Sequence, residues 1–262
     1  MTYNLIGINN GRNFRGLGGY KTKTGQTTKK RKLIRSGNLA NLSAADLGLL
    51  DDFNLKYDID FRSKHEVTAA PDRLPDRTHY HFTPVFSEDL TDSTKSMEEI
   101  LTDNSDDADY GFNNMMEAYA DIVTGTSGIQ AYRKFFKYLL KNDQDNQALL
   151  FHCSAGKDRT GMGAVYFLNA VGVDLPTIRQ DYLLSNLTTK DFADNFIAEA
   201  KKKGATPATL QSLKALLSVD EKYLDNALTI INQEFGGLDQ YTTDVLKLDQ
   251  TDLAALKEIY LE

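Results

Sequence analysis

The chain has one cysteine, Cys153, in 262 residues. That excludes an intramolecular disulfide and any multi-cysteine metal site. There is no tryptophan, and apolar runs are short and broken by polar residues. No segment therefore reads as a membrane span, and integral membrane association is not expected. The N-terminal residues MTYNLIGINNGRNFRG lack a basic start followed by an apolar stretch and do not read as a signal peptide. A cytoplasmic location is the default expectation, although a protein exported by a non-classical route would look the same. Cations are in the minority, with 30 Lys and Arg against 37 Asp and Glu and a net charge of −7. That balance argues against a broad nucleic-acid footprint while leaving room for a local basic pocket. The hydrophobic fraction of 41% and charged fraction of 26% are ordinary for a folded domain and exclude a wholly disordered chain. The expected organisation is a single domain over residues 1–262.

Residues 1–86 read as strands and tight turns, with turn signals at Asn10-Gly11 and Gly18-Gly19. Lys32–Arg35, Tyr57–Phe61 and Thr78–Val85 are strand candidates, the last placed near an edge by Pro84. Ser43 followed by Asp46 resembles a capped short helix. Residues 87–125 change character, carrying eleven acids against Lys95 alone, yet Phe112, Met115, Met116 and Tyr119 recur at helical spacing. Two readings fit: a surface insertion with one packed helix, or a lid over a site. Residues 127–141 form an amphipathic helix, Ala148–Phe151 is a continuous apolar run typical of a buried central strand, and a second helix runs from about Thr160 to Val171. From Thr189 to the end the chain looks helical, with apolar stripes at Leu210, Leu213, Leu216 and Leu217 and again at Tyr223, Leu224, Ala227, Leu228 and Ile231. The fold class expected is α/β: a central, mostly parallel sheet flanked by helices, with a helical region over 189–262 and a lid-like insertion at 87–125. In such folds the site lies past the carboxyl ends of the strands.

The chemistry concentrates immediately after the apolar run, at His152-Cys153-Ser154-Ala155-Gly156-Lys157-Asp158-Arg159-Thr160-Gly161. Five residues separate the cysteine from the arginine, and a helix follows. A loop of that length can curl into a nest whose N–H groups converge on one point at the positive end of the next helix. A phosphate dianion fits there, cradled by Ser154, Ala155, Gly156 and Lys157, with Arg159 offering a bidentate fork. Gly156 permits backbone geometry closed to other residues. Thiols ionise at about pH 8.5, and a helix N-terminus with nearby cations favours the thiolate, so Cys153 is the candidate nucleophile. The implied reaction is in-line attack on phosphorus, giving a phosphocysteine that water hydrolyses. Thr160 can donate its hydroxyl to the sulfur, and His152 can orient the loop through its ring nitrogens. Arg62, just past a strand candidate, serves either the phosphate pocket and its loop or an ordinary salt bridge. Asp60 is either an alternative acid or an arginine's partner.

These motifs together resemble the bacterial atypical protein-tyrosine phosphatases. The family pattern Asn-Phe-Arg-Asp-Leu-Gly-Gly is met by Asn13-Phe14-Arg15-Gly16-Leu17-Gly18-Gly19, with Gly16 in place of the usual Asp. Arg35-Ser36-Gly37, Asp60-Phe61-Arg62-Ser63 with Glu66, the signature loop and Asp181-Tyr182-Leu183-Leu184 match as well, so the resemblance covers nearly the whole chain. It implies a cysteine-dependent phosphatase fold and a broad-specificity protein-tyrosine phosphatase inhibited by phosphate analogues such as vanadate. It further implies that the general acid is the aspartate before the loop arginine, here Asp158. Lys157 falls where some phosphoinositide phosphatases carry a lysine, and Asp158 where the myotubularins carry theirs. Phosphotyrosine proteins or peptides are thus the expected partners, with phosphoinositides as a second class. The absence of the family's carboxylate at position 16 is expected to act locally on stability or substrate fit. A phosphate-binding module without turnover is the alternative from another class, and such a module would be expected to lose the cysteine, the arginine or the acid.

No cofactor is implied. His79 and His81, two apart on a strand candidate, face the same side, but the spacing indicates no third ligand and no metal site is expected. Turnover should therefore survive EDTA; a loss restored by adding zinc would contradict this.

Overall fold

The computed structural model describes residues 4–87, 99 and 107–262. Five strands, β1 (Arg15–Gly16), β2 (Leu33–Ser36), β3 (Leu55–Asp60), β4 (His79–Phe82) and β5 (Ala148–His152), form one sheet in the order β1-β2-β5-β3-β4. Only the β1/β2 pair is antiparallel; β2, β5, β3 and β4 run parallel. The apolar run 148–151 is thus the central strand and β4 is an edge.

Side chains alternate across the sheet as a period of two demands. On β5, Leu149 and Phe151 join the larger core, which includes Phe61, Tyr132, Phe135 and Tyr166. Ala148 and Leu150 join Ile34, Leu39, Leu42, Leu50 and Leu55 in a smaller core on the other face. Covered on both sides, the strand reads in sequence as unbroken hydrophobicity.

The helices are α1 (Ala44–Asp52), α2 (Lys64–Ala69), α3 (Tyr110–Thr124), α4 (Thr126–Lys141), α5 (Arg159–Ala170), α6 (Leu175–Thr188), α7 (Lys190–Lys202), α8 (Pro207–Leu217), α9 (Glu221–Phe235), α10 (Leu238–Gln240) and α11 (Gln250–Tyr260), with a π-helical turn at Tyr241–Val245. Capping boxes start α1 at Ser43/Asp46 and α2 at Ser63/Glu66. Two helices escape a reading by apolar spacing. α2 is six residues long, too short to show a period. α6 buries Asp181 and Ser185 beside Ile178, Tyr182 and Leu184, so polar residues interrupt its stripe.

α3 occupies the second half of the acidic 87–125 stretch. Met115, Ala118, Tyr119, Ile122 and Val123 are buried in the main core, so this part is a packed helix. Residues 88–98 and 100–106, where the lid reading also falls, lie outside the described residues. Among the described residues no helix is long and apolar enough to cross a membrane.

Candidate active site

Parallel strands bring their carboxyl ends to one side of the sheet. Ser36 on β2 and Asp60 on β3 both pair in register with His152 on β5. The segments that follow these residues therefore meet, and the Cys153–Asp158 loop lies between them and the first turn of α5.

The loop is held by its carbonyls. Ser154 O accepts from Asn38 N at 3.1 Å and from its side-chain amide at 3.3 Å. Asn13 Nδ2 donates to Ala155 O at 3.2 Å and Gly156 O at 2.7 Å, and Arg35 Nη2 donates to Gly156 O at 2.9 Å. Three successive carbonyls are thus turned toward the β1–β2 side. No acceptor among the described residues takes an amide hydrogen from Ser154 to Asp158. These are the features of an anion-binding nest at a helix N-terminus. Gly156 sits at φ +70°, and a Cβ there would lie 2.3 Å from Ser36 O; the position admits only glycine.

Behind the loop is a buried ionic clamp. Asp181 on α6 accepts from Arg15 Nε at 3.1 Å, Arg35 Nη1 at 2.5 Å and the Tyr20 hydroxyl at 2.9 Å. Arg15 also reaches Asp181 O and the side chains of Asn13 and Ser185. Burial opposes the Asp181 charge, but the two guanidiniums outweigh it and hold its pKa down at about 2. In front, α2 supplies Glu66. Its carboxylate takes Arg159 bidentately, at 2.6 Å and 2.7 Å, and also accepts from the Ser154 hydroxyl and Ser63 N. Burial works against that charge too, yet Arg159 and the hydrogen bonds keep Glu66 ionised well below the usual carboxylate range.

Beneath the cysteine, His152 Nδ1 lies 3.3 Å from Cys153 O. Its Nε2 faces Asp72 at 3.3 Å, Asp58 at 3.4 Å and Asp60 at 3.8 Å. Burial disfavours an imidazolium, but Asp60, Asp72 and Asp58 together raise its pKa well above the ordinary value. Burial raises Asp58 to about 6, against the pull of His152. Asp58, Asp72 and His152 place ligand-type atoms within 4.8 Å of one another. Arg62 pairs Asp60 and Asp72 there, and the three carboxylates favour the charged form of His152, so the cluster reads as a buried ion network.

Asp60 and Arg62, for which a place at the substrate pocket and a salt bridge were both open, belong to this network. Arg62 binds Asp60 through Nε at 2.9 Å and Nη2 at 2.7 Å, and also takes Asp72 and Ala70 O. Both are wholly buried. Two carboxylates and a carbonyl engage the guanidinium, Arg62 is linked to His152 at the base of the loop through the shared Asp60 and Asp72, and Asp60 is an arginine's partner. Among the described residues the Thr160 hydroxyl is buried without a hydrogen-bond partner, so the bond to the sulfur is not made. His79 and His81 do share a side, both packing on Tyr57, and His81 stacks on Tyr138 at 3.8 Å. Gly16 lies on β1 with Asn4 Cβ and Leu33 O nearest to a built Cβ, each 3.8 Å away, so a side chain would fit.

Cys153 is 1% exposed and Asp158 3%. Lys157 Nζ contacts both Asp158 oxygens, at 3.1 Å and 2.9 Å, and donates to Ser218 O at 3.2 Å. Tyr119 donates to Asp158 Oδ1 at 3.0 Å, and Tyr132 to Arg159 O at 2.9 Å. The sequence reading assigned no site role to Asn13, Glu66, Asp72, Tyr119 or Asp181. Asn13, Glu66 and Asp181 fall inside the motifs that carry the resemblance, but those motifs give them no partner, and Asp72 and Tyr119 fall outside them.

The structure thus places one cysteine at the end of the central strand and an arginine at the start of the next helix, with a tightly held loop between them. The model of the tyrosine phosphatase family matches residues 6–262. A protein of Cupriavidus necator, named as a candidate tyrosine-protein phosphatase, is 34% identical over 242 residues, covering 92% of this chain and 84% of the relative. The triple specificity protein phosphatase PtpB of Mycobacterium tuberculosis is 27% identical over 246 residues, covering 84% and 88%. A tyrosine-protein phosphatase of Nostoc commune is 31% identical over 154 residues, covering 58% of this chain and 47% of its own. The chain belongs to the tyrosine phosphatase family and is a phosphatase of its bacterial atypical branch.

The depressed carboxylates set the acid limit of the fold. Asp181 and Asp72 sit at about 2, and Glu66 is shifted the same way, against about 4 in an unfolded chain. A depressed group stabilises above its unfolded value and loses that contribution as pH falls toward the folded one. Asp58 is shifted the other way, and its change falls at higher pH, between about 4 and about 6. The melting temperature should therefore drop steeply between about pH 4 and pH 2. A flat melting temperature across that window would contradict the assignment.

Proposed function

We propose that the protein is a broad-specificity protein-tyrosine phosphatase acting through a phosphocysteine on Cys153. The observation that carries this is the loop itself: its carbonyls are engaged from behind, its amides are left for an anion, and Glu66 fixes the buried Arg159 guanidinium beside Ser154. Ser154, Ala155, Gly156 and Lys157 supply the nest. Phosphate oxygens in it are met by N–H groups and the helix end, and developing charge on phosphorus is stabilised without reorganisation. Cys153 Sγ attacks as the ester oxygen leaves with a proton from Asp158. In the second step Asp158 takes a proton from water, which displaces the sulfur. Thr160, whose buried hydroxyl has no partner among the described residues, is the donor to that departing sulfur.

A phosphotyrosine ring is long enough to carry its phosphate to the floor of the nest, whereas a phosphoserine brings its peptide backbone against the rim. The name of the mycobacterial relative, a triple specificity phosphatase, supports breadth beyond tyrosine. Phosphoinositides are a second substrate class. For them Lys157 would have to leave Asp158 and Ser218 O, where its ammonium is engaged, to meet a ring phosphate.

Cys153→Ser should abolish turnover yet retain vanadate or phosphate binding, because a serine hydroxyl is not ionised near neutrality while the nest persists. Residual activity within tenfold of the parent would contradict the nucleophile, on the scale of about 1.4 kcal/mol per factor of ten. Matched peptides and a phosphoinositide assayed by phosphate release would rank the substrates. Equal kcat/KM for phosphotyrosine and phosphoserine would overturn the preference.

A further inference from the structure

Asp158 is gripped by groups from outside the loop. The Tyr119 hydroxyl on α3 donates to its Oδ1 at 3.0 Å, and the Tyr182 hydroxyl on α6 has two acceptors, that of Tyr119 at 2.8 Å and Asp220 O at 3.3 Å, the shorter contact being with Tyr119. Lys157 approaches Oδ1 at 3.1 Å and Oδ2 at 2.9 Å. Oδ1 thus faces two donors and Oδ2 one. Tyr119 is fully buried, its ring packed among Tyr182 and Tyr223. A phenylalanine would fill that space equally well. Burying a hydroxyl is costly unless it is bonded, and this one is spent on the Asp158 carboxylate. Burial first, and then the Asp158 charge, raises the Tyr119 pKa well above the ordinary phenol value, so Tyr119 remains a donor throughout the working range.

We propose that Tyr119, itself oriented by Tyr182, is a positioning residue for proton transfer by Asp158. It occupies Oδ1 and thereby assigns the mobile proton to Oδ2. In the first step the Asp158 O–H bond breaks and its proton goes to the leaving-group oxygen, as the ester P–O bond breaks and the S–P bond forms. The electron pair stays on the carboxylate, where the Tyr119 hydroxyl stabilises it. In the second step that carboxylate removes a proton from water as the new O–P bond forms and the S–P bond breaks. The helix that the acidic 87–125 stretch contributes to the core thus carries a part of the acid–base apparatus. The inference rests on the reading of Asp158 as the general acid, and the experiment separates the two.

The test measures kcat/KM for Tyr119→Phe, Asp158→Asn and the double variant across aryl phosphates of rising leaving-group pKa. Loss of a general acid costs roughly 10² or more on poor leaving groups, and Asp158→Asn should show that with a steeper dependence on leaving-group pKa. Tyr119→Phe should show the same steepening at a smaller size, roughly tenfold on the poorest leaving groups and much less on the best. It should add little in the Asp158→Asn background, because residues acting through one another are non-additive. Steepening by Asp158→Asn with a uniform loss or no loss for Tyr119→Phe would overturn the inference and leave the acid assignment standing. A uniform loss for Asp158→Asn would overturn the acid assignment and the inference with it. Melting temperatures show whether Tyr119→Phe folds. If it does not, Tyr182→Phe serves in its place: the Tyr119 hydroxyl keeps its bond to Asp158 but loses its orienting donor, and a milder steepening is expected. A uniform loss or no loss for Tyr182→Phe would then overturn the inference.

Discussion

One carboxylate, Asp181, ties the two halves of the site together. It neutralises Arg15 from β1 and Arg35 from β2, and it is delivered by α6, well over a hundred residues later in the chain. Arg35 also donates through Nη2 to Gly156 O, and Arg15 steadies Asn13, which holds the same carbonyl. Breaking a buried pair by removing one partner costs about 3–5 kcal/mol, because the other charge is left unpaired. The clamp therefore makes the loop conformation part of the folded core, and Gly156 completes it by allowing the left-handed turn against Ser36.

An acidic protein builds an anion site by pairing its cations before the anion arrives. Arg15 and Arg35 share Asp181, Arg62 takes Asp60 and Asp72, Arg159 takes Glu66, and Lys157 takes Asp158. Each charge is affordable in the interior only because it is matched and hydrogen-bonded. What remains for a phosphate is the set of backbone amides, the helix end, and whatever the Arg159 and Lys157 partners release as the anion binds. Glu66 has two duties: it caps α2 and it fixes the plane of the Arg159 guanidinium.

Local chemistry was legible in the sequence and long-range pairing was not. The order strand, loop, helix around Cys153 showed itself through the apolar run 148–151, the single glycine with a backbone demand at 156, and the helical spacing after Thr160. The parallel sheet and its edge strand followed from the same kind of signal. The resemblance linked the separated motifs, but it did not say which carboxylate meets which arginine. Asp60 and Arg62 sit two residues apart at a strand end, which suits a pocket or a salt bridge equally. Only burial beside Asp72 and His152 decides for the salt bridge. The acidic composition of 87–125 pointed to the surface and the helical spacing of Phe112, Met115, Met116 and Tyr119 to one packed helix, but nothing in either tied Tyr119 to Asp158. Composition averages over a segment, whereas a helix sorts its faces.

The central claim is that phosphate passes through the sulfur of Cys153. The most direct measurement is to quench the enzyme with acid during turnover of a phosphotyrosine peptide and to map the trapped phosphate by mass spectrometry. The account predicts phosphocysteine at Cys153, absent from Cys153→Ser. Turnover without a phosphoenzyme, or with phosphate on another residue, would contradict it.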